Sequence, residues 1–335
     1  MQKLYHSVRQ FVNDHYSLKK IIFALINRYP FYIAYDKIYT KRVNSVLSDV
    51  QLPQAISIET FNLCNLKCIM CPYKDMTRAK ATMPMELFKK ITLDAEAMGV
   101  KSLILSFYSE PFLDPHLFER IAFVRGRGMY VMFYSNGTVL NEGKISKLLE
   151  NPPHKIIFSF DGGTKETYEK IRIGGKFDMV TANIRRLVEE RNRRGMSEPA
   201  IEVNCTIQKE NYHELDLFKK LWNGVVDGYD FGIVDNREGE GHEGGLEVER
   251  SKIVYPCRRL WNEMIVLSSG KVALCCVDFD GKVILGDAGT QSLADIWDGE
   301  LYSKIRDLHR QKMGDKVALC RGCSKLYRAA QVAWW

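Results

Sequence analysis

Three cysteines that lie close together give this sequence its most specific chemical signal. Cys64, Cys68 and Cys71 follow an apolar run in a C-x3-C-x2-C arrangement. Thiolates are soft ligands that suit iron–sulfur clusters or zinc. Structural zinc normally takes four protein ligands, and no fourth Cys or His lies near this segment. Three thiolates on a four-iron cluster would leave one iron open to an external chelate, so the segment predicts an open iron–sulfur site.

A second set of cysteines in the C-terminal part of the chain has the ligand count of a closed site. Gly270 permits a tight hairpin between the apolar runs Met264–Leu267 and Val272–Leu274, just before one of these cysteines. Four thiolates complete a shell that suits either structural zinc or a fully ligated cluster. The spacing C-x17-C-x44-C-x2-C is formed by Cys257, Cys275, Cys320 and Cys323.

An alternation of strands and helices would position the first cysteine set. Such alternation is typical of a parallel sheet covered by helices. Six strand–helix units are too few for a complete eight-stranded barrel, so we predict an α/β fold containing a partial (β/α)6 barrel. The predicted strands are Ile56–Phe61, Ser102–Phe107, Tyr130–Tyr134, Lys155–Phe160, Ile201–Ile207 and Tyr229–Val234. The predicted helices are Met85–Met98, His116–Arg125, Asn141–Leu149, Phe177–Arg193 and Tyr212–Trp222.

Unusual polar residues follow several of these strands. In a parallel sheet the loops after the strands meet at one edge, where functional residues collect. We therefore expect the residues after the strands to converge on one rim: Cys64, Glu110, Ser135 to Gly137, Asp161 to Gly163, and Asp235.

The chain divides into four predicted parts. In the last part, Ser292 and Asp295 form a capping box that predicts a helix running through Leu301. The parts are an N-terminal helical extension (1–52), the partial barrel (53–235), a flexible connector rich in Gly and Glu (236–255), and a small cysteine-rich domain (256–335).

The composition is that of a soluble globular protein, with 46% apolar and 27% charged residues. Residues 1–50 contain eight Lys or Arg against three Asp, so most of the net charge of +7 is N-terminal and no nucleic-acid partner is expected. The apolar stretch at 21–35 is too short for a membrane span, so we predict packed helices there, with peripheral membrane contact as the alternative. Nine cysteines without a visible export signal favour a reduced, cytoplasmic protein.

From the three-cysteine motif onward, over roughly residues 55–325, the sequence resembles the radical S-adenosylmethionine (SAM) superfamily. In that family the open iron of a [4Fe-4S] cluster binds the amino and carboxylate groups of SAM. Tyr108 and Ser109 replace both glycines of the family's Gly-Gly-Glu motif, whose acidic position is kept. The resemblance implies further cofactor contacts: Met70 near the adenine, Glu110 at the SAM amino group, Ser135, Asn136 and Ser159 at the ribose and carboxylate, and Arg172 at the SAM carboxylate or the substrate.

The second cysteine set resembles the SPASM and shorter twitch extensions of this superfamily, which bind auxiliary clusters. Full SPASM domains use seven cysteines, which this region does not have, so the resemblance implies one auxiliary [4Fe-4S] cluster on the four-cysteine set. Cys276 has three open roles: it could replace Cys275 as a ligand, lie inert in the hairpin, or donate a hydrogen atom to a substrate radical.

The resemblance implies that the chain cleaves SAM to a 5′-deoxyadenosyl radical that abstracts hydrogen from a small-molecule substrate. A fully ligated second cluster favours electron transfer, and the spacing of the second set is similar to that of the twitch-type aminocyclitol dehydrogenase of butirosin biosynthesis. Oxidation of a secondary alcohol of a sugar or cyclitol is therefore the leading hypothesis, with flavodoxin or ferredoxin as the reducing partner. The alternatives are epimerisation of a sugar or amino sugar with Cys276 as hydrogen donor, dehydration, peptide maturation, and a metal-binding module without turnover.

Overall fold

The computed structural model describes residue 47, residues 52–234 and residues 250–329. Nearly all of the predicted N-terminal extension lies outside these residues, together with its predicted membrane contact. Asp235 and most of the predicted connector also lie outside them. Within the described ranges, no helix has both the length and the apolar character needed to cross a bilayer.

Six parallel strands form the predicted partial barrel. Their order in the sheet follows their order in the chain, and each neighbouring pair is parallel. Every one of the six overlaps a predicted strand, because runs of β-branched and aromatic residues favour the extended conformation. The predicted α/β fold is confirmed. The strands are β1 (Ala55–Ile58), β2 (Ser102–Ile104), β3 (Tyr130–Ser135), β4 (Lys155–Ser159), β5 (Ala200–Ile207) and β6 (Gly228–Ile233).

Helices pack against this sheet through apolar stripes. The first of them buries Phe88, Ile91 and Ala95 on one face and ends at Gly99, which has the positive φ of a helix C-cap (89°). The helices between the first and the last of these strands are α1 (Met85–Met98), α2 (Leu117–Gly126), α3 (Glu142–Leu148), α4 (Lys165–Ile171), α5 (Phe177–Arg193) and α6 (Leu215–Trp222). Short 3-10 helices lie at Pro72–Asp75 and Pro111–Leu113.

The C-terminal region continues the barrel sheet. The first strand of the predicted hairpin, Glu263–Val266, pairs in parallel with β1. The second strand of the hairpin and one further strand follow it as antiparallel neighbours. Gly270, at φ 86°, makes the turn of this hairpin. A separate two-stranded ribbon joins the first strand of this region to the last. The strands are β7 (Arg250–Val254), β8 (Glu263–Val266), β9 (Lys271–Ala273), β10 (Ile284–Asp287) and β11 (Tyr327–Ala329).

The predicted C-terminal helix is divided in two. Ser292 caps its start by accepting a hydrogen bond from the Asp295 N–H (3.1 Å), as predicted. The helix does not run through Leu301, because the chain turns at Gly299, where an added Cβ would lie 3.0 Å from the Ile296 carbonyl oxygen. The helices of this region are α7 (Arg259–Asn262), α8 (Leu293–Trp297) and α9 (Glu300–Arg310), with 3-10 turns at Gly314–Lys316 and Ala318–Cys320.

Candidate active site

A cavity of about 510 Å³ lies inside the partial barrel, with walls from both the barrel and the C-terminal region. This volume is within the range of small-molecule sites. One part of the wall comes from the loops that follow β1 and β3, and another from α7, β8 and the segment after β9. A ligand in this cavity would therefore contact both cysteine-bearing regions.

The three cysteines of the first set all line this cavity. Asn136 Nδ2 donates towards Cys64 Sγ, and Arg172 Nη1 towards Cys68 Sγ, each over 3.8 Å. Burial raises the pKa of Cys64 to about 11 and that of Cys68 to about 12. Thiols in such surroundings become good ligands when a metal replaces the proton, and donors around them are typical of iron–sulfur sites. The donor set fits the predicted open cluster.

Arg172 is held in place by a buried carboxylate. Its Nη2 lies 2.6 Å from Asp161 Oδ2, and both side chains are almost completely buried. Burial by itself would lower the pKa of Arg172, but the Asp161 carboxylate and the Cys68 thiol raise it above its usual value. Arg172 therefore presents a fixed positive charge to the cavity beside the first cysteine set.

The Glu110 carboxylate is hydrogen-bonded to two residues of the cavity wall. Its side chain is fully buried and does not line the cavity. One carboxylate oxygen accepts hydrogen bonds from Ser135 Oγ (2.8 Å) and the Phe112 N–H (3.0 Å), and the other from the Asn136 N–H (2.6 Å). Through these bonds Glu110 holds the turn that carries Ser135 and Asn136. Its direct contact with the SAM amino group stays a prediction.

The remaining predicted cofactor residues do lie at the cavity. Met70, Ser135, Asn136 and Ser159 all belong to its wall. Asn136 also accepts a hydrogen bond from Thr138 through its side-chain oxygen, which fixes the orientation of its amide. The structure thus brings these four residues together with the first cysteine set, and their individual contacts with SAM stay predictions.

The second cysteine set also comes together. Burial raises the pKa of Cys275 to about 12, and the nearby Cys257 and Cys323 raise it too. Burial also raises the pKa of Cys320, with further contributions from Cys275, Cys257 and Cys323. Cys320 and Cys323 are buried. No group of three or more described His, Cys, Asp or Glu side chains has the separation needed to hold a single metal ion. The fit to an auxiliary cluster rests on the four soft donors that converge in this buried region.

His309 supports this second set, although no local motif marks it. It is fully buried, and its Nδ1 accepts a hydrogen bond from the Cys257 N–H (3.2 Å). Desolvation lowers the pKa of His309 to about 4, so it stays neutral and can accept this bond. Gly314 packs against the ring, where an added Cβ would lie 2.8 Å from His309 Cε1.

Cys276 and Cys275 have different surroundings. Cys276 lines the cavity, whereas Cys275 does not. The Arg259 guanidinium contacts Cys276 Sγ, and the Tyr108 hydroxyl donates to the Cys276 carbonyl oxygen (2.8 Å). This arrangement favours Cys275 over Cys276 as the ligand of the second set, and it leaves Cys276 in the cavity wall.

Several cavity residues were missed by sequence reasoning. Ser57 and Tyr134 from the barrel line the cavity, and so do Arg259 and Glu263 from the C-terminal region. Ser57 Oγ donates to Glu263 Oε1 over 2.8 Å, across 206 positions of sequence. No local motif marks these residues, because they meet only when β8 pairs with β1.

A buried ion pair ties the first cysteine loop to the C-terminal region. Glu59, just after β1, accepts two 2.7 Å bonds from the Arg78 guanidinium and a third from the Ser268 N–H (3.0 Å). Arg78 Nε also donates to the Phe279 carbonyl oxygen (2.8 Å). We call Glu59 and Arg78 the latch pair.

Comparison with known proteins agrees with this architecture. A model of the radical SAM superfamily matches residues 58–221, and a model of an iron–sulfur cluster-binding domain, SPASM, matches residues 257–324. Together the two matches cover well over half of the chain, and they include both cysteine sets.

Individual relatives extend the comparison. A tungsten-containing aldehyde ferredoxin oxidoreductase cofactor-modifying protein from Pyrococcus furiosus is 31% identical over 173 residues, which are 51% of this chain and 48% of that protein. An S-adenosyl-L-methionine-dependent 2-deoxy-scyllo-inosamine dehydrogenase from Niallia circulans is 24% identical over 279 residues, 81% of this chain and 92% of that protein. The crystal structure of BtrN in complex with AdoMet and 2-DOIA superposes with a TM-score of 0.56 at 20% identity, covering 81% of this chain and 93% of BtrN. This structural likeness shows a shared fold.

Proposed function

Because this chain belongs to the radical SAM superfamily and carries a SPASM iron–sulfur region, we propose that it oxidises a secondary alcohol of a sugar or cyclitol to a ketone. Bound SAM and its cluster supply a 5′-deoxyadenosyl radical, and an auxiliary cluster supplies the electron acceptor. The chain's own task is to bind the alcohol between the two cysteine sets, orient it and keep water away from it.

The observation that carries the proposal is the single cavity that spans both regions. The open set of Cys64, Cys68 and Cys71 lines it, and so does Cys276, the residue next to Cys275 of the closed set. A small substrate held there is close to the site of hydrogen abstraction and also to the second set. Its polar wall, with Ser57, Tyr134 and Glu263, suits a substrate with several hydroxyl groups.

The relative from Niallia circulans supports the same reaction class. Its name describes dehydrogenation of 2-deoxy-scyllo-inosamine, and the alignment spans 92% of its length. At 24% identity the substrate itself can differ, so the proposal is made for the class of sugar and cyclitol alcohols. We also propose reduced flavodoxin or ferredoxin as the source of the electron that starts each turnover.

The test begins with a panel of sugars and cyclitols that includes 2-deoxy-scyllo-inosamine. The anaerobically reconstituted protein is incubated with each compound, and the release of 5′-deoxyadenosine is measured. The mass of the product of the most active substrate is then determined by mass spectrometry. We expect a product two hydrogens lighter than the substrate. In Cys320→Ser, 5′-deoxyadenosine release should persist while the ketone formed per 5′-deoxyadenosine falls, because the electron acceptor is impaired. Full ketone yield with only zinc at the second set would contradict the proposal.

Epimerisation is the second candidate, and the position of Cys276 favours it. A thiol in the cavity wall could return a hydrogen atom to the opposite face of a substrate radical. Cys276→Ala separates the two reactions. An oxidising enzyme should keep much of its activity in this variant. An epimerase should still cleave SAM but fail to complete the inversion, and the parent product should keep the substrate mass while gaining one deuterium in deuterated water.

A further inference from the structure

Glu263 is the only carboxylate among the described residues that line the cavity. It is the first residue of β8 and is half-buried, and Ser57 Oγ donates to its Oε1 over 2.8 Å. The side chain is therefore fixed by a neighbour on β1 within the cavity wall. A carboxylate held in this way can accept a hydrogen bond and then a proton.

Oxidation of an alcohol needs such a group. Once hydrogen has been abstracted from the carbinol carbon, that carbon has an unpaired electron and still carries its hydroxyl. A ketone forms only if the hydroxyl proton and one electron both leave. The site must therefore contain a base as well as an electron acceptor.

We propose that Glu263 is the catalytic proton acceptor of this oxidation, an assignment that rests on the proposed function. The O–H bond breaks and its proton binds to the Glu263 carboxylate. A carbon–oxygen double bond forms, and one electron leaves to the auxiliary iron–sulfur cluster, which is the oxidant of this step. Together with the earlier abstraction, the alcohol loses two hydrogens.

Other polar groups of the cavity are less suited to this task. Arg172 and Arg259 only donate hydrogen bonds. Asp161 is fully buried behind Arg172 and does not line the cavity. Burial, followed by the charge of Glu263 among other carboxylates, raises the pKa of the Tyr134 phenol, which therefore keeps its proton.

Glu263 is also connected to the second cysteine set through Tyr302. The Tyr302 hydroxyl donates to the Glu263 carbonyl oxygen (3.3 Å), and Tyr302 is within electrostatic reach of Cys275. The charged and titratable groups near the carboxylate include Arg259, Tyr134 and Tyr302. An alcohol bound at Glu263 can thus lose its hydroxyl proton to this carboxylate and the electron of its carbon radical to the auxiliary cluster.

The test compares Glu263→Gln with Glu263→Asp and with the control Glu202→Gln. Gln keeps the size of the side chain and an oxygen for Ser57, but it cannot act as a base. Glu202 is a nearby carboxylate that does not line the cavity and is paired with Lys155 (2.7 Å). The substrate is the panel alcohol most active with the parent, deuterated at its carbinol carbon. Three quantities are measured: deuterium transfer to 5′-deoxyadenosine, ketone formed per 5′-deoxyadenosine, and the paramagnetic resonance spectrum of freeze-quenched samples.

We expect deuterium transfer in Glu263→Gln within about twofold of the parent, because abstraction does not need the base. Ketone per 5′-deoxyadenosine should fall about 100-fold, a typical contribution of a general base. A carbon-centred radical should accumulate, since it can no longer lose its proton efficiently. Glu263→Asp should recover part of the ketone yield, and Glu202→Gln should match the parent.

Two results would overturn the assignment. The first is a Glu263→Gln variant that keeps the parent's ratio of ketone to 5′-deoxyadenosine. The second is a variant that binds substrate more weakly but converts the bound substrate at the parent's ratio, which would make Glu263 a binding residue. Failure of the proposed function is seen separately, in the parent. A parent product with the mass of the substrate would exclude alcohol oxidation and the role of Glu263 with it.

Discussion

Removal of Arg78 from the latch pair should destabilise the protein far more than removal of an exposed arginine. Glu59 is 0% exposed, and the Arg78 side chain is 15% exposed. In Arg78→Ala, the two 2.7 Å bonds to Glu59 are lost, and among the described residues the Ser268 N–H remains as a donor to this carboxylate. A buried carboxylate would then lack its counter-charge.

The magnitude follows from the burial. Removing one partner of a buried ion pair costs about 3–5 kcal/mol, because the remaining charge stays desolvated. For a protein of this size, at about 2 °C per kcal/mol, the melting temperature should fall by roughly 6–10 °C. Arg127→Ala is the matched control, because Arg127 also pairs with a glutamate, Glu96 (3.2 Å), but with both side chains about 40% exposed. An exposed pair contributes at most about 1 kcal/mol, so the control should shift by less than about 2 °C.

The assay is thermal unfolding of the reconstituted protein under anaerobic conditions, followed by circular dichroism. Glu59→Gln combined with Arg78→Ala should recover part of the loss, because a neutral amide replaces the unpaired buried charge. Arg78→Ala should also lose iron faster from the first cysteine set, since Arg78 lies in the loop that follows Cys71. An equal shift in Arg78→Ala and Arg127→Ala would refute the reasoning.

Two further predictions concern the first cysteine set and the turn beside it. Two four-iron clusters give about eight irons per chain. Replacing Cys64, Cys68 and Cys71 with Ala should halve the iron content and abolish reductive SAM cleavage. A variant that still releases 5′-deoxyadenosine would contradict the assignment. Glu110→Gln should weaken SAM binding by about tenfold or more, because its amide group must face an N–H or O–H donor and displace the turn of Ser135 and Asn136. Equilibrium dialysis measures the affinity, with the exposed Glu142→Gln as the control, and unchanged binding would remove the positioning role of Glu110.

The long periodic elements could be predicted from the sequence because their information is local. The bounds of α1 (Met85–Met98) and α5 (Phe177–Arg193) agree with the prediction, since each has enough turns to show an apolar stripe. The seven-residue α4 (Lys165–Ile171) was missed, because only Tyr168 and Ile171 are buried in it. Two apolar positions are too few to distinguish a short helix from a loop.

The candidate site also has residues that a local pattern predicts and residues that no local pattern marks. The spacing of Cys64, Cys68 and Cys71 is a local pattern, and it predicted residues that the structure brings to one cavity. The motif of Glu110 fixes its position after β2 but not the direction in which the carboxylate faces, so its bonds to Ser135 and Asn136 could not be predicted. Ser57 and Glu263 gave no signal at all, because their contact depends on the pairing of β1 with a strand some 200 residues later.

The direction of the strands explains why two adjacent cysteines have different surroundings. Strand β8 runs parallel to β1, so the antiparallel β9 returns towards the edge at which β1 begins. Cys275 therefore leaves the sheet at the edge opposite to the loop that carries Cys64, on the side where Cys257 precedes α7. The next residues fold back over the hairpin, since Cys276 packs with Phe107 and Ile265, and Phe279 reaches Arg78. One cysteine is thereby directed to the second set and the other to the cavity wall. An epimerase and a dehydrogenase would both use this arrangement, and Glu263 on the same wall is the feature that favours loss of a proton and an electron over the return of a hydrogen atom.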